Sequence, residues 1–379
     1  MKKSSILIIA IFIAMGSYAQ NMNVQTAFNH LKKGKLKEAI EAIKPALDNA
    51  QTSMQAKTWF YYGNICFEIA KDETGIFSNV ITQPLDESTR GYTKALEFDK
   101  RQEYTEDIAR MMSGIAGLYW DKGVTAFEQK SYSQAAEYFT KSYNIGEQVE
   151  RKDPSQLVWA GNCWILEQNW DKAEEIFDKL KDLNHKDPAV YIGLAKVAVA
   201  KKDFNKAVQL LDEGEEKYPK DLGFLTEKAN MYMVGELSEM DKHATLNTLL
   251  KIIEIEPNNA SVWNSLGTCY ALDENTFDKA AAAYKKCIEL DPKFISAYYG
   301  YSNLFLDKAN HYIKEAQDLP LDANDKYEKL IKQAEDVFKG VLPFVEQAHT
   351  LNPQDGAVKQ ILKEIYTRLK MLDKAAEIK

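Results

Sequence analysis

An all-α solenoid of about eight helix–turn–helix pairs is the fold this sequence predicts, and three observations predict it. Residues 187–219 (DPAVYIGLAKVAVAKKDFNKAVQLLDEGEEKYP) set large and small side chains at helical spacing and close on a proline. With Asp187 as position zero, Tyr191 is position 4, Leu194 position 7, Ala195 position 8, Ala207 position 20, Leu211 position 24 and Pro219 position 32. The same order returns from end to end of the chain. Aromatic residues reach 11%, with 20 Tyr and 6 Trp, as expected if every helix pair carries bulky rings at fixed positions. A length of 379 residues would allow two or three compact domains, but a repeat array can run the whole length without a second kind of core.

Residues 20–50 form the first expected unit. Gly34 supplies its turn, since glycine tolerates positive φ. Ala39, Ile43 and Ala46 pack its second helix, and Pro45 is expected to bend that helix. The second unit places Trp59, Tyr62 and Gly63 at positions 4, 7 and 8, and Tyr92 and Ala95 resume its second helix. Between them, residues 71–90 read as an irregular insertion punctuated by Gly75 and Pro84. An extended helix follows, with Gly123, Ala135 and Phe139 at positions 8, 20 and 24; Gly161, Ala173 and Phe177 repeat those roles. After the 187–219 unit comes a looser one from Leu222 to Pro257, with Ala229 at position 8 and a longer turn at Val234-Gly235-Glu236. Residues 260–292 match again through Trp263, Leu266, Gly267, Tyr270, Ala280, Tyr284 and Pro292, with one extra turn residue. Tyr298, Tyr301 and Ser302 open the last full unit. A second irregular insertion is expected near 308–343, where Leu319–Asp325 breaks the helical period and Pro343 should kink or restart a helix. Residues 357–379 supply a terminal helix pair or part of one, with Lys359, Lys363 and Glu364 facing outward as a polar cap.

This order of residues resembles the tetratricopeptide repeat (TPR), a helix–turn–helix unit of about 34 residues. The resemblance is most specific at 187–219 and 260–292, fair at 56–67 and 119–180, and runs through the mature chain. It implies a right-handed superhelical TPR solenoid whose first helices line a concave groove that binds other proteins. Position 8 must be small because the neighbouring helix crosses there, and a larger side chain would cost about 1–3 kcal/mol in overpacking.

Four asparagines stand out. Asn64, Asn162, Asn230 and Asn303 directly follow Gly63, Gly161, Ala229 and Ser302, so all four fall at position 9 of a first helix. The resemblance puts that helix on the groove, where an amide can donate to and accept from an extended backbone whatever its side chains. The competing reading is that asparagine is merely common at this position. Some relatives of the family hold a free C-terminal carboxylate with lysine at position 5. Here that position is Phe60, Ile192 and Asn264, which argues against this mode.

Charge and motifs remove other classes. Lys plus Arg number 48 against 56 Asp plus Glu, a net charge of −8, and the signs are mixed, as in residues 32–38. A phosphate backbone needs clustered cations, so nucleic acid is not an expected partner. Acidic runs such as Glu174-Glu175 and Asp212-Glu213-Glu215-Glu216 have helical spacing and read as solvated faces. No G-x-S-x-G, H-E-x-x-H, P-loop or dinucleotide fingerprint is present. Cys66, Cys163, Cys269 and Cys287 form no C-x-x-C pair, and His30, His185, His243, His311 and His349 are scattered. The expectation is therefore buried free thiols, no metal site, no cofactor and no catalysis. An enzyme on this scaffold would have to use the irregular segments, where His311 stands alone. Trp59, Trp159, Trp164, Trp170 and Trp263 raise a glycan-binding alternative, although Trp59 and Trp263 hold a core-packing position and Trp170 falls at a turn.

The N-terminus carries a separate message. Lys2 and Lys3, the apolar run Ile6–Met15 and the small-x-small Ser17-Tyr18-Ala19 have the order of a cleavable bacterial export signal, residues 1–19. Ten apolar residues fall short of a bilayer's ~30 Å core. No cysteine lies near the cleavage site, which argues against a lipid anchor. A periplasmic protein with no integral membrane segment is the expectation.

Overall fold

The computed structural model describes residues 22–72, 75–77, 79–233, 243–320 and 323–378. The expected export signal and the Val234-Gly235-Glu236 turn lie outside the described residues. Among those described there are eighteen α-helices and no strand. They are α1 (22–32), α2 (Leu36–Asp48), α3 (Ala56–Ala70), α4 (Pro84–Phe98), α5 (Thr105–Glu128), α6 (Tyr132–Gln148), α7 (Ser155–Leu166), α8 (Trp170–Asp182) and α9 (Ala189–Ala200). Then come α10 (Phe204–Lys217), α11 (Leu222–Met233), α12 (Ala244–Ile255), α13 (Ala260–Ala271), α14 (Phe277–Leu290), α15 (Ile295–Gln317), α16 (Asn324–Leu351), α17 (Gly356–Arg368) and α18 (Leu372–Glu377). The chain forms two compact units, Met1–Val197 and Ala198–Lys379. In the first, α3 packs on α4, α5 on α6 and α7 on α8, and each second helix passes its free face to the next first helix. In the second, α11 with α12, α13 with α14, α15 with α16 and α17 with α18 do the same. The terminal pair α17–α18 makes nine pairs where about eight are expected. This is an all-α TPR-type solenoid in each unit.

Stacking is set by rings buried against glycines. A β-carbon at Gly63 would lie 2.8 Å from the Tyr92 ring, at Gly123 2.6 Å from Phe139, at Gly161 2.7 Å from Phe177 and at Gly267 2.6 Å from Tyr284. Position 8 is therefore small because the aromatic side chain of the second helix fills the space, and at Gly63 also because the second helix crosses at close range, a β-carbon at Gly91 lying 2.8 Å from the Gly63 Cα. The same ring also reaches the following repeat. Phe177 lies against Gly193 of α9, and Tyr284 against Gly300 of α15, closer still than to their own first helices. Both glycines fall at position 6, which the sequence reading did not single out. Phe177 and Tyr284 thus each join their own pair to the next, and Phe139, Phe177 and Tyr284 are fully or nearly fully buried.

The turns repeat as well. Gly34, Lys130, Gln168, Lys202 and Lys370 have φ of +68°, +61°, +58°, +62° and +60°. In each case the next N–H donates to a carbonyl five residues upstream, from Lys35 to His30 at 3.0 Å through Met371 to Tyr366 at 2.8 Å. This left-handed closure satisfies carbonyls at the end of the first helix, at a conformational cost of about 1–2 kcal/mol where the residue is not glycine. Asn169 and Asp203 then cap α8 and α10 by accepting from the Lys172 and Lys206 N–H groups at 3.3 and 3.1 Å.

In three repeats position 4 ties the unit to the end of the previous one. Trp59 Nε1 donates to the Ser53 carbonyl at 2.7 Å, Trp263 Nε1 to Pro257 at 2.8 Å, and the Tyr298 hydroxyl to Pro292 at 3.1 Å. In the last two the acceptor is the closing proline itself. Trp59 is buried as expected, whereas Trp263 is half-buried.

Two sequence expectations change, and of the two readings of Pro343 the restart of a helix falls away. Pro84 begins α4 at its first helical position, where a missing N–H costs nothing, so residues 84–90 are helical and the irregular stretch ends at 83. The 308–343 region is mostly helix: α15 runs to Gln317 and α16 starts at Asn324. Pro45 and Pro343 both sit inside continuous helices. Both prolines are exposed, so the carbonyl each deprives of a partner can be hydrated and the helix continues.

The ring–glycine contacts give a direct contrast. Gly193→Ala should destabilise the protein by about 1–3 kcal/mol through overpacking against Phe177. Gly117→Ala, on an exposed stretch of α5 with nothing within 4 Å of the new methyl, should stabilise by about 0.5–1 kcal/mol through helix propensity. Urea denaturation followed by circular dichroism separates the two signs.

Candidate functional site

The four position-9 asparagines emerge beside buried small residues, because one residue step turns the helix by about a quarter of its circumference. Gly63, Gly161, Ala229 and Ser302 are buried; Asn162, Asn230 and Asn303 are exposed, and Asn64 is half-buried. Asn64 and Asn162 belong to the first unit, Asn230 and Asn303 to the second.

Asn64 lines a cleft of about 710 Å³ in the first unit. Three successive first helices build it. Leu31 comes from α1, Phe60, Asn64 and Glu68 come from α3 at one-turn intervals, and Asp107, Arg110 and Met111 come from α5; Gly34 and Leu36 close it at the first turn. Its floor is braced: the Phe60 ring lies 4.8 Å from Tyr104, 5.7 Å from Tyr61 and 6.2 Å from Tyr92, centroid to centroid. The fully buried Tyr92 donates its hydroxyl to Asn64 Oδ1 at 2.6 Å. That bond fixes the amide plane and turns Asn64 into a donor toward the cleft. Charged groups stand along the edge: Glu68 pairs with Lys71 at 2.7 Å, and Asp107 with Arg110. Of the four asparagines, Asn64 alone lines this cleft. The sequence register found Asn64, but Leu31, Leu36 and Met111 carry no signal of their own and meet only in the fold.

Asn162 sits one turn beyond Trp159 on α7. Trp159 is 44% exposed although its ring meets three others. It stands edge-on to Trp120 (6.2 Å, 88°) and Phe127 (5.6 Å, 90°) and lies 5.9 Å from Phe139. Of the other tryptophans, Trp164 is buried, and Trp170 opens α8 half-buried against the core.

The remaining polar clusters are occupied. A smaller cavity of about 260 Å³ at the start of α4 contains Asp86, whose carboxylate accepts from the Tyr119 hydroxyl at 2.5 Å and from Lys141 Nζ at 2.9 Å on each oxygen. All four cysteines are free. Burial pushes the Cys66 and Cys163 thiols up to about 12 and Cys287 to about 11, so none is a ready thiolate. Among the described residues no group of His, Cys, Asp and Glu could hold a metal ion.

One acidic run differs from its solvated reading. Lys228 stands at position 7 of its repeat, where Tyr62, Leu194, Leu266 and Tyr301 stand in theirs, and is 4% exposed. Its Nζ reaches Asp212 at 3.0 Å and Glu215 at 2.5 Å, and Lys251 pairs with Glu215 from α12. Asp212 and Glu215 thus receive a buried cation and link α10, α11 and α12. Burial would raise the Glu215 carboxyl, but hydrogen bonds from Lys228 and Lys251 outweigh it and hold the group below the usual carboxylate range.

Family models of the tetratricopeptide repeat match residues 165–223 and 260–294. These two stretches carry tetratricopeptide repeats. Among curated proteins it is 24% identical over 151 residues to the tetratricopeptide repeat-containing protein trd-1 of Caenorhabditis elegans, covering 39% of this chain and 18% of that one. It is 28% identical over 155 residues to the general transcriptional corepressor trfA of Dictyostelium discoideum, covering 40% and 10%. A third match, Superkiller complex protein 3 of Homo sapiens, is 38% identical over 88 residues, 23% of this chain and 5% of that one. The chain spans less than a fifth of the length of these relatives. Among solved structures, the C-terminal part of a TPR protein from Cytophaga hutchinsonii aligns at 16% identity and a TM-score of 0.42, covering 68% of this chain and 98% of that one. A MamA structure aligns at 15% identity and a TM-score of 0.36, covering 53% and 97%.

The Lys228 cluster yields a second prediction. Glu215→Gln leaves the buried Lys228 cation with the exposed Asp212 as its remaining carboxylate partner and should destabilise by about 2 kcal/mol, whereas Lys228→Met places an apolar side chain at an apolar position and should cost less. Because the folded Glu215 carboxyl is depressed, its contribution is full above the unfolded value and lost as pH falls through the folded one. The wild-type advantage over Glu215→Gln in urea titrations should therefore be present at pH 7 and shrink below the ordinary glutamate range.

Proposed function

We propose that this protein is a non-enzymatic adaptor of the bacterial cell envelope, which holds segments of partner proteins on the face formed by its first helices. The observation that carries the reading is the cleft at Asn64, preformed on three successive first helices with an apolar floor and a fixed amide donor. Sites of this volume, largely apolar with a few placed polar groups, are built for binding. Asn162, Asn230 and Asn303, exposed at the same register, extend the contact to further backbone groups. The tetratricopeptide repeats support protein partners as the ligand class. No helix among the described residues is long and apolar enough to cross a membrane.

A glycan-binding role is the second reading, and the exposed Trp159 beside Trp120 and Phe127 is what favours it, since a ring face can stack on a sugar. Mass-spectrometric identification of proteins captured from the envelope by the mature chain tests the adaptor reading. With a captured partner in hand, replacing Asn64, Asn162, Asn230 and Asn303 by alanine should weaken binding, each lost amide costing about 0.5–1.5 kcal/mol, while helicity is kept. Unchanged affinity in the folded quadruple variant rejects the groove assignment, and selective capture of an oligosaccharide favours the second reading.

Export rests on the basic, apolar and small-residue order of residues 1–19. The mature protein should begin at Gln20 and fractionate with the periplasm. An intact mass that retains Met1, or recovery in the cytoplasm, would overturn this.

A further inference from the structure

We infer that the cleft of the first unit selects an extended segment that carries a bulky apolar side chain next to a lysine or arginine. This rests on the adaptor reading and narrows it to one partner chemistry. The apolar preference follows from the walls. Leu31 and Leu36 face the cleft from the first pair, and Phe60 and Met111 from α3 and α5. None of these four offers a hydrogen bond, so a sugar placed between them would lose hydration without replacing it. A leucine, methionine or phenylalanine side chain loses nothing there, and the rings behind Phe60 hold the floor in place before binding.

The backbone preference follows from Asn64. With Oδ1 occupied by the Tyr92 hydroxyl, the amide presents N–H toward the cleft, and its natural partner is a main-chain carbonyl. An extended segment keeps its carbonyls available, whereas a helix has already used all but the last four.

The charge preference follows from the edge. Glu68 and Asp107 line the cleft against one guanidinium, Arg110. The pairs these carboxylates make, with Lys71 and Arg110, are local and solvent-exposed, and such pairs hold their partners weakly. An incoming ammonium or guanidinium can share the same oxygens. An incoming carboxylate would meet two like charges and a single guanidinium that Asp107 already engages.

Panning a random dodecapeptide library displayed on phage against the mature protein tests this. Enriched sequences should place Leu, Met or Phe beside Lys or Arg. The synthesised peptides should bind about tenfold more weakly to Met111→Gln. The double variant Glu68→Lys/Asp107→Lys, with helix content verified by circular dichroism, should enrich acidic flanks instead. Enrichment without a basic bias, binding indifferent to the charge reversal, or retention of oligosaccharides with no peptide enriched would each overturn the assignment. A protein partner captured from the envelope that binds the charge-reversed variant as well as the wild type would remove the cleft assignment and leave the adaptor reading standing.

Discussion

Phe177 is wedged between Gly161 and Gly193, and Tyr284 between Gly267 and Gly300; within each unit the stacking of repeats depends on this fit. A ring on the second helix enters space left by an absent β-carbon on its own first helix and on the next one. The contact fixes the distance between neighbouring pairs as well as the packing within a pair. From it follows the alternation of first and second helices, and with that the shared face on which Phe60, Asn64 and Glu68 meet Arg110 and Met111. A cleft assembled from three separate helices depends on spacing that the rings impose elsewhere.

The repeat pattern was legible because its strongest residues interact at short range. Positions 4, 7, 8, 20 and 24 recur with helical spacing, and the rings and small residues they name are those the core buries. Position 6 was not legible, because Gly193 and Gly300 make room for the ring of the preceding repeat and not for a partner within their own. The turns were half legible. Gly34 announces positive φ, but Lys130, Gln168, Lys202 and Lys370 adopt the same backbone with nothing in their side chains to mark it. Proline was legible only in part. Pro84 starts a helix, and Pro45 and Pro343 pass through helices whose outer side is wet.

The candidate site divides in the same way. The register of Asn64, Asn162, Asn230 and Asn303 could be read from the small residue before each, since neighbouring positions on a helix have fixed relative directions. The cleft itself could not, because its walls come from residues as far apart as Leu31 and Met111. Lys228 was invisible for a related reason: a lysine at an apolar position declares itself only when Asp212 and Glu215 are seen to reach it from α10, with Lys251 of α12 holding Glu215. The second unit thus places an ionic joint at α10–α12 where the first unit relies on rings.

The hydrogen bond from the position-4 ring to the carbonyl that closes the preceding repeat has a mechanical consequence. Trp263 and Tyr298 anchor to Pro257 and Pro292, so successive repeats of the second unit are fastened end to end by small local clasps as well as by their shared core. Tension along such a chain is borne clasp by clasp. Each clasp is local to one joint, so opening one leaves the hydrogen bond of its neighbour in place.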